Sequence, residues 1–266
     1  MDDFAATELA QPVVDLRGRR GLVVGIANEN SIAYGCALAM QRAGAKLAVT
    51  YLNAKAEPYV RPLAERLGSP IIVPCDVREP GQLEAVFDTV RNTWDELDFV
   101  LHSIAYAPRE DLHARVVDCS RDGFLMAMDI SCHSFVRMAA LAESLMPRGG
   151  ALMTVSFYGA EKVVPHYNLM GPVKAALQSV VRYLAAELAP KQIRVHALSP
   201  GAIRTRAASG ISRFDELLER EAAETPQHQL ATIEDVGNLA AFLASPAAAR
   251  LTGTVIHVDG GRHIMS

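Results

Sequence analysis

Short apolar runs alternate with longer stretches of helical periodicity from one end of this chain to the other. RRGLVVGIA (19–27), KLAVTYL (46–52), PIIVP (70–74), LDFVLHSIAYAP (97–108, a strand with its exit), ALMTVS (151–156), IRVHALSPG (193–201) and GTVIHVDGG (253–261) read as strands. They are largely continuous apolar runs bounded by turn residues, the pattern of strands buried on both faces. Between them, residues 32–42, 54–67, 81–93, 122–146 and 173–188 place apolar residues at three- and four-residue intervals and predict helices. Strands alternating with helices, without linker or repeat, predict one α/β domain over 18–266. Its expected architecture is a doubly wound parallel sheet of about seven strands with helices on both faces. Residues 1–17 predict an N-terminal arm on that body.

Composition narrows the function classes. The 266 residues are half hydrophobic, enough for a large core, and carry a formal net charge of −4. That balance lacks the basic footprint of nucleic-acid binding. The acidic start, MDDFAATELAQPVVDL, has no signal-peptide core, and no segment reads as an uninterrupted membrane span. Cys36, Cys75, Cys119 and Cys132 show no metal-ligand spacing, so reduced packing cysteines are expected. A cytoplasmic protein without membrane, nucleic-acid or metal partners is the expectation.

Three places carry candidate chemistry. The first strand ends at Gly25, the turn Asn28-Glu29-Asn30 follows, and Ser31 stands at the N-cap of the helix from Ile32. Such a helix start aims free N–H groups at an anion, although the middle glycine of the usual dinucleotide fingerprint is missing. Asp76, just past the third strand, lies where an adenine amino group is met, or alternatively caps the helix at 81–93. The third place is SFYGAEKVVPHYNLMGPVK (156–174). Tyr167 and Lys174 are seven residues apart, two helical turns, so a helix beginning near Asn168 puts Tyr167 at its lip and leans Lys174 back toward it. An ammonium there favours the phenolate. The alternative is an ordinary amphipathic surface pair.

In order, these motifs resemble the short-chain dehydrogenase/reductase family, and within it the enoyl-acyl-carrier-protein reductase branch. The resemblance rests on G-x5-SIA-x-G at 25–35, CDV at 75–77, HSIAYAP at 102–108 and DIS at 129–131. It continues with GAEKVVPHYNLMG at 159–171, IRTRAASGI at 203–211 and VIHVDGG at 255–261. It implies a Rossmann-like fold and NADH-dependent reduction of the trans-2 double bond of enoyl thioesters in fatty acid biosynthesis. Tyr167 and Lys174 would be the catalytic pair. Tyr158 and Lys162 mimic the Tyr-x3-Lys of ordinary members, but Pro165 breaks any helix there. Lys174, by contrast, is followed by the helix and IRV strand that trail the active lysine.

The resemblance further assigns Gly25, Ser31 and Ile32 to the cofactor pyrophosphate, and Asp76 and Val77 to adenine. Ile104 falls beside the nicotinamide, Ile203 and Thr205 at the carboxamide and phosphate, and Lys174 at the ribose. Leu52 sits where the adenosine ribose is read; neither an Asp or Glu for the ribose hydroxyls nor an Arg for a 2′-phosphate stands there, and NADH is favoured over NADPH. Core packing is the alternative for Ile32, Val77, Ile104 and Ile203. Tyr106, Ala107 and Phe157 would line the acyl pocket with Tyr167. Phe157 stands where many relatives carry a tyrosine, and SPGAIRT replaces the more frequent SAGPIRT. Residues 203–226 would form a substrate lid, whose Arg204, Arg206 and Arg213 either meet an acidic carrier protein or are simply solvated. A homotetramer acting on thioesters of acyl carrier protein, or of coenzyme A, completes the expectation. A carbonyl or 3-oxoacyl reductase and a non-catalytic NAD-binding scaffold are the alternatives.

Overall fold

A computed structural model describes residues 13–205, 208 and 212–265. Seven parallel strands form its sheet: β1 (Arg20–Val24), β2 (Lys46–Tyr51), β3 (Ile71–Pro74), β4 (Phe99–His102), β5 (Gly150–Val155), β6 (Ile193–Pro200) and β7 (Thr254–Val258). Their order is β3-β2-β1-β4-β5-β6-β7. The order reverses between β1 and β4, registered Gly21 to Phe99 through Val24 to His102, so a crevice opens at the carboxyl ends of those two strands.

One face of the sheet is covered by α3 (Gln82–Trp94), α6 (Ser134–Glu143) and α7 (Met170–Leu188), which bury Phe87, Phe135, Met138, Leu177 and Val181. The other is covered by α1 (Ile32–Arg42), α2 (Glu57–Arg66) and α9 (Ile233–Ala244), through Met40, Leu63, Val236 and Ala240. The expected two-sided α/β sheet is the one observed. The arm is described only from residue 13; there Leu16 is fully buried and donates its N–H to the Ala43 carbonyl at 2.8 Å.

Three features depart from the sequence pattern. α9, unmarked in the periodicity above, packs against α1 so closely that a Cβ at Gly35 would stand 2.2 Å from the Ile233 carbonyl oxygen. Gly35 therefore serves helix contact. The helix expected over 122–146 is α5 (Arg121–Met128), a π-helical turn at Asp129–His133, and then α6. Finally, the 23-residue span Arg121–Glu143 is apolar enough, by length and composition, to cross a membrane, contrary to expectation. Its second half buries Phe135, Met138, Ala139 and Ala142 in the core, as a core helix does.

Candidate active site

A cavity of about 900 Å³ fills the crevice above β1, β4, β5 and β6. Its floor at β1 is Gly25, whose φ of +117° and approach to Ser103 (a Cβ would lie 2.0 Å from that carbonyl oxygen) admit no side chain. Ser31 and Ile32 line the cavity beside it. Ser31 occupies the N-cap position, but its hydroxyl accepts from the N–H groups of Ala27 and Asn28, both at 3.0 Å, and caps nothing in α1. The expected side-chain cap is thus absent, and the start of α1 faces the cavity without one. That is a fitting seat for a pyrophosphate, since the helix dipole and uncapped N–H groups both favour an anion.

Tyr167 and Lys174 meet in the same cavity, by a route different from the expected one. α7 starts at Met170, not near Asn168, so Pro172 lies in its first turn and Tyr167 in the tight turn before it. That turn is held by left-handed residues on either side, His166 (φ 66°) and Asn168 (φ 43°). The Asn168 amide also donates to the Leu112 carbonyl at 3.0 Å, tying the turn to α4 (Arg109–His113). Glycine at 159 lets the Tyr167 ring lie on the backbone; a Cβ there would come within 2.6 Å of the ring. The phenol is buried, and burial raises its pKa above the ordinary value. Expectation had it lowered by the lysine. Instead the Lys174 ammonium donates to the Val155 carbonyl at 2.6 Å, at the end of β5. Burial brings the Lys174 pKa down to about 8.

Beneath the lysine lies a polar core that the sequence reading missed. Ser134 donates to the Ile130 carbonyl at 2.7 Å, so its oxygen accepts from Nε2 of His102 at 2.8 Å. The neutral imidazole must then accept at Nδ1 from Thr154, also at 2.8 Å. Burial first, and the Lys174 charge second, hold the His102 pKa down at about 3, which keeps it neutral. Ser131, in the π-helical turn, accepts from the Tyr106 N–H at 3.0 Å and donates to the Tyr106 carbonyl at 3.1 Å. It fixes the wall that carries Ile104, Tyr106 and Ala107, all of which line the cavity. The motifs HSIAYAP and DIS contain these residues, but periodicity alone gives no reason to pair them across 25 positions.

Ile203, Thr205 and Phe157 also reach the cavity, while Leu52, Asp76 and Val77 do not line it. Leu52 is half exposed just past β2. Val77 packs into the core, and its carbonyl accepts from Arg137 at 2.8 Å. Asp76 does not cap α3, whose N-cap is Gly81; Arg78 grips its carboxylate at 3.0 and 2.6 Å and lowers its pKa. The lid region contains α8 (Phe214–Glu224), with Phe214 and Leu217 facing the cavity. Of the three arginines singled out there, Arg204 pairs with Asp215 at 2.7 Å and Arg213 with Glu216 at 2.5 Å, whereas Arg206 lies outside the described residues. Tyr158 does not line the cavity: its hydroxyl donates to Glu221 at 2.7 Å.

Among the described residues, His257, Asp259 and His263 could in reach hold a metal ion. However, the Asp259 carboxylate already accepts from the N–H groups of Gly261 and His263 and from the His263 ring. The two imidazoles stack face to face at 3.9 Å, and Nδ1 of His257 is buried without a hydrogen-bond partner.

A family model described as Enoyl-(Acyl carrier protein) reductase matches residues 25–263. The chain belongs to the enoyl-acyl-carrier-protein reductase family. It is 48% identical over 254 residues to the curated enoyl-[acyl-carrier-protein] reductase [NADH] of Aquifex aeolicus, covering 94% of this chain and 93% of that one. Among solved structures, the family member from Anaplasma phagocytophilum in complex with NAD superposes with a TM-score of 0.90 at 44% identity, covering 94% and 95% of the two chains. The Bacillus cereus reductase, solved with NADP+ and an indole naphthyridinone, gives 0.92 at 42% identity over 95% and 99%. Reductases of this family thus share the whole fold described here, from the first strand to the end of the sheet.

Proposed function

We infer that this chain is an enoyl-acyl-carrier-protein reductase, using NADH to reduce the trans-2 double bond of an enoyl thioester in fatty acid biosynthesis. The single observation that carries the residue roles is the convergence of Tyr167, Lys174 and the uncapped start of α1 on one cavity. A bound reduced nicotinamide supplies the hydride. Tyr167 then acts as donor to the thioester oxygen, where negative charge develops; a donor aimed at that charge stabilises the transition state more than the ground state. Its raised pKa keeps the phenol proton in place at neutral pH. Lys174, anchored on Val155, holds the ribose hydroxyls, and Gly25, Ser31 and Ile32 the pyrophosphate. Ile104, Ile203 and Thr205, which line the cavity, surround the nicotinamide, while Asp76, Val77 and Leu52 stand outside it and take no role in this reading. Tyr106, Ala107 and Phe157 give the acyl chain its apolar wall. NADH consumption with crotonyl-coenzyme A, set against an acetoacetyl thioester and repeated with NADPH, tests the reading. Preferred turnover of the ketone would replace it with a carbonyl reductase, and binding without turnover with a scaffold.

The physiological thiol is the carrier protein in this reading. Its acidic surface would have to meet a lid whose Arg204 and Arg213 already pair with the lid's own carboxylates. A cytoplasmic homotetramer is also proposed, supported by Phe124, Leu125 and Met126 on α5 and Tyr183 on α7, large apolar side chains left exposed on the single chain. Mass measurement in solution tests it.

A further inference from the structure

Glu221 is the least expected residue in the lid. It shares the inner face of α8 with Phe214, Leu217 and Leu218, at helical spacing, yet it is a carboxylate only 1% exposed. Burying a carboxylate is costly unless donors meet it. Two do, and they come from segments far apart in sequence. From the β5 exit, the Tyr158 hydroxyl donates at 2.7 Å; from the C-terminal turn, Nε of Arg262 donates at 3.1 Å. Arg262 is itself buried, bonds Glu224 as well, and lies over the Tyr158 ring, 5.5 Å from its centroid. The same turn braces the end of α8, because Gly260, at φ +63°, packs on Thr225.

This junction connects directly to the chemistry. Tyr158 packs edge-on against Phe157 at 4.7 Å, and Phe157 edge-on against Tyr167 at 4.8 Å. The cavity-facing residues of α8, Phe214 and Leu217, lie two turns and one turn before Glu221, respectively. We propose that Tyr158, Glu221 and Arg262 form a latch that positions the substrate lid over the acyl channel and braces the aromatic stack behind Tyr167. They are positioning residues: they touch neither cofactor nor substrate, and act through α8 and Phe157. The proposal rests on the reading of 203–226 as the cover of an acyl chain. Because a long chain contacts more of that cover, the latch sets chain-length preference.

The test uses the full-length enzyme with Tyr158→Phe, Glu221→Gln, the double variant and Arg262→Lys. Steady-state kinetics with four-carbon and twelve-carbon enoyl thioesters are paired with NADH binding by fluorescence and hydrogen exchange across 214–224. Losing a hydrogen bond to a buried charge should make α8 open about tenfold more often. The expected result is faster exchange in α8, a KM for the twelve-carbon substrate raised about tenfold in Glu221→Gln and severalfold in Tyr158→Phe, and four-carbon turnover and NADH affinity within about twofold. The double variant should add little to Glu221→Gln, since both remove one interaction. Arg262→Lys, which keeps the charge, should retain most of the chain-length preference. Equal losses at both lengths, unchanged exchange in α8, or additive single effects would overturn the latch. If the unmodified enzyme turns over neither thioester, the function reading fails, and hydrogen exchange alone still decides whether Glu221 fastens the lid.

Discussion

Two tyrosine–lysine pairs lie within seventeen residues of one another, and their surroundings could hardly differ more. Tyr167 and Lys174 are buried in the cavity wall, and loss of water raises the pKa of the first and lowers that of the second. Tyr158 is buried too, but its hydroxyl is committed to Glu221 and its ring to a neighbouring stack. Lys162 is exposed and donates to the Met265 carbonyl. Residue type and spacing are therefore poor guides to chemistry. What separates the pairs is whether the polar atom is left available toward a cavity or consumed in a structural contact.

The largest consequence of the contrast falls on Tyr167. Tyr167→Phe keeps the ring against Gly159 and Phe157 and removes only the donor. Turnover with an enoyl thioester should fall about a hundredfold to a thousandfold, the usual loss for one such donor, with NADH affinity unchanged. Steady-state and binding assays on the same preparation check it. A loss below tenfold would move the donor role elsewhere in the cavity.

Lys174 offers the second test, in stability as well as rate. Its folded pKa of about 8 lies below the 10.5 of a free lysine, so the buried ammonium is a cost to the fold. Between pH 8 and 10.5 the unfolded chain binds the extra proton, and stability should rise with pH through that window; below pH 8 the full cost is present. Lys174→Met should abolish that rise, make the protein more stable at pH 7 by a few kcal/mol at most, and cripple NADH turnover. Chemical denaturation at pH 7, 9 and 10 measures it. A variant less stable than the parent at pH 7 would mean that the Val155 contact outweighs desolvation.

The sheet was legible in the sequence because its strands are largely apolar runs, most of them buried, and six of the seven differ from their expected bounds by at most three residues at either end. The fourth, Phe99–His102, was anticipated only within a longer stretch that included its exit loop. α9 was not marked, and what makes it visible is three-dimensional: glycines 35 and 237, two hundred residues apart, remove the Cβ atoms that would hold the helices apart. The site was half legible. Ordered motifs pointed to Tyr167, Lys174, Gly25 and Ser31, but the helix start, the anchoring of Lys174 on Val155 and the neutral His102 bridge depend on partners far away in sequence. A carboxylate at position 221 looked like part of a charged amphipathic run. Only burial distinguishes it from Glu219 or Glu224 on the same helix.

Tyr158→Phe comes third, with its severalfold effect confined to long acyl chains, and Lys162 last. In a bare Tyr-x3-Lys reading Lys162 would be indispensable. Here its side chain is exposed, its contact is a single hydrogen bond to a carbonyl one residue from the end of the chain, and Pro165 follows it in a segment with no regular helix. An exposed contact of that kind contributes within about 0.5 kcal/mol. Lys162→Ala should therefore change kcat, KM for either thioester and the melting temperature by no more than about twofold or about 2 °C. The measurement is sharpest when made beside Lys174→Met in the same assay. If both lysines proved essential, neither cavity access nor burial would be what divides the two pairs. If only Lys174 did, the seven-residue spacing from Tyr167 would follow from which amine the fold has sealed beneath the crevice.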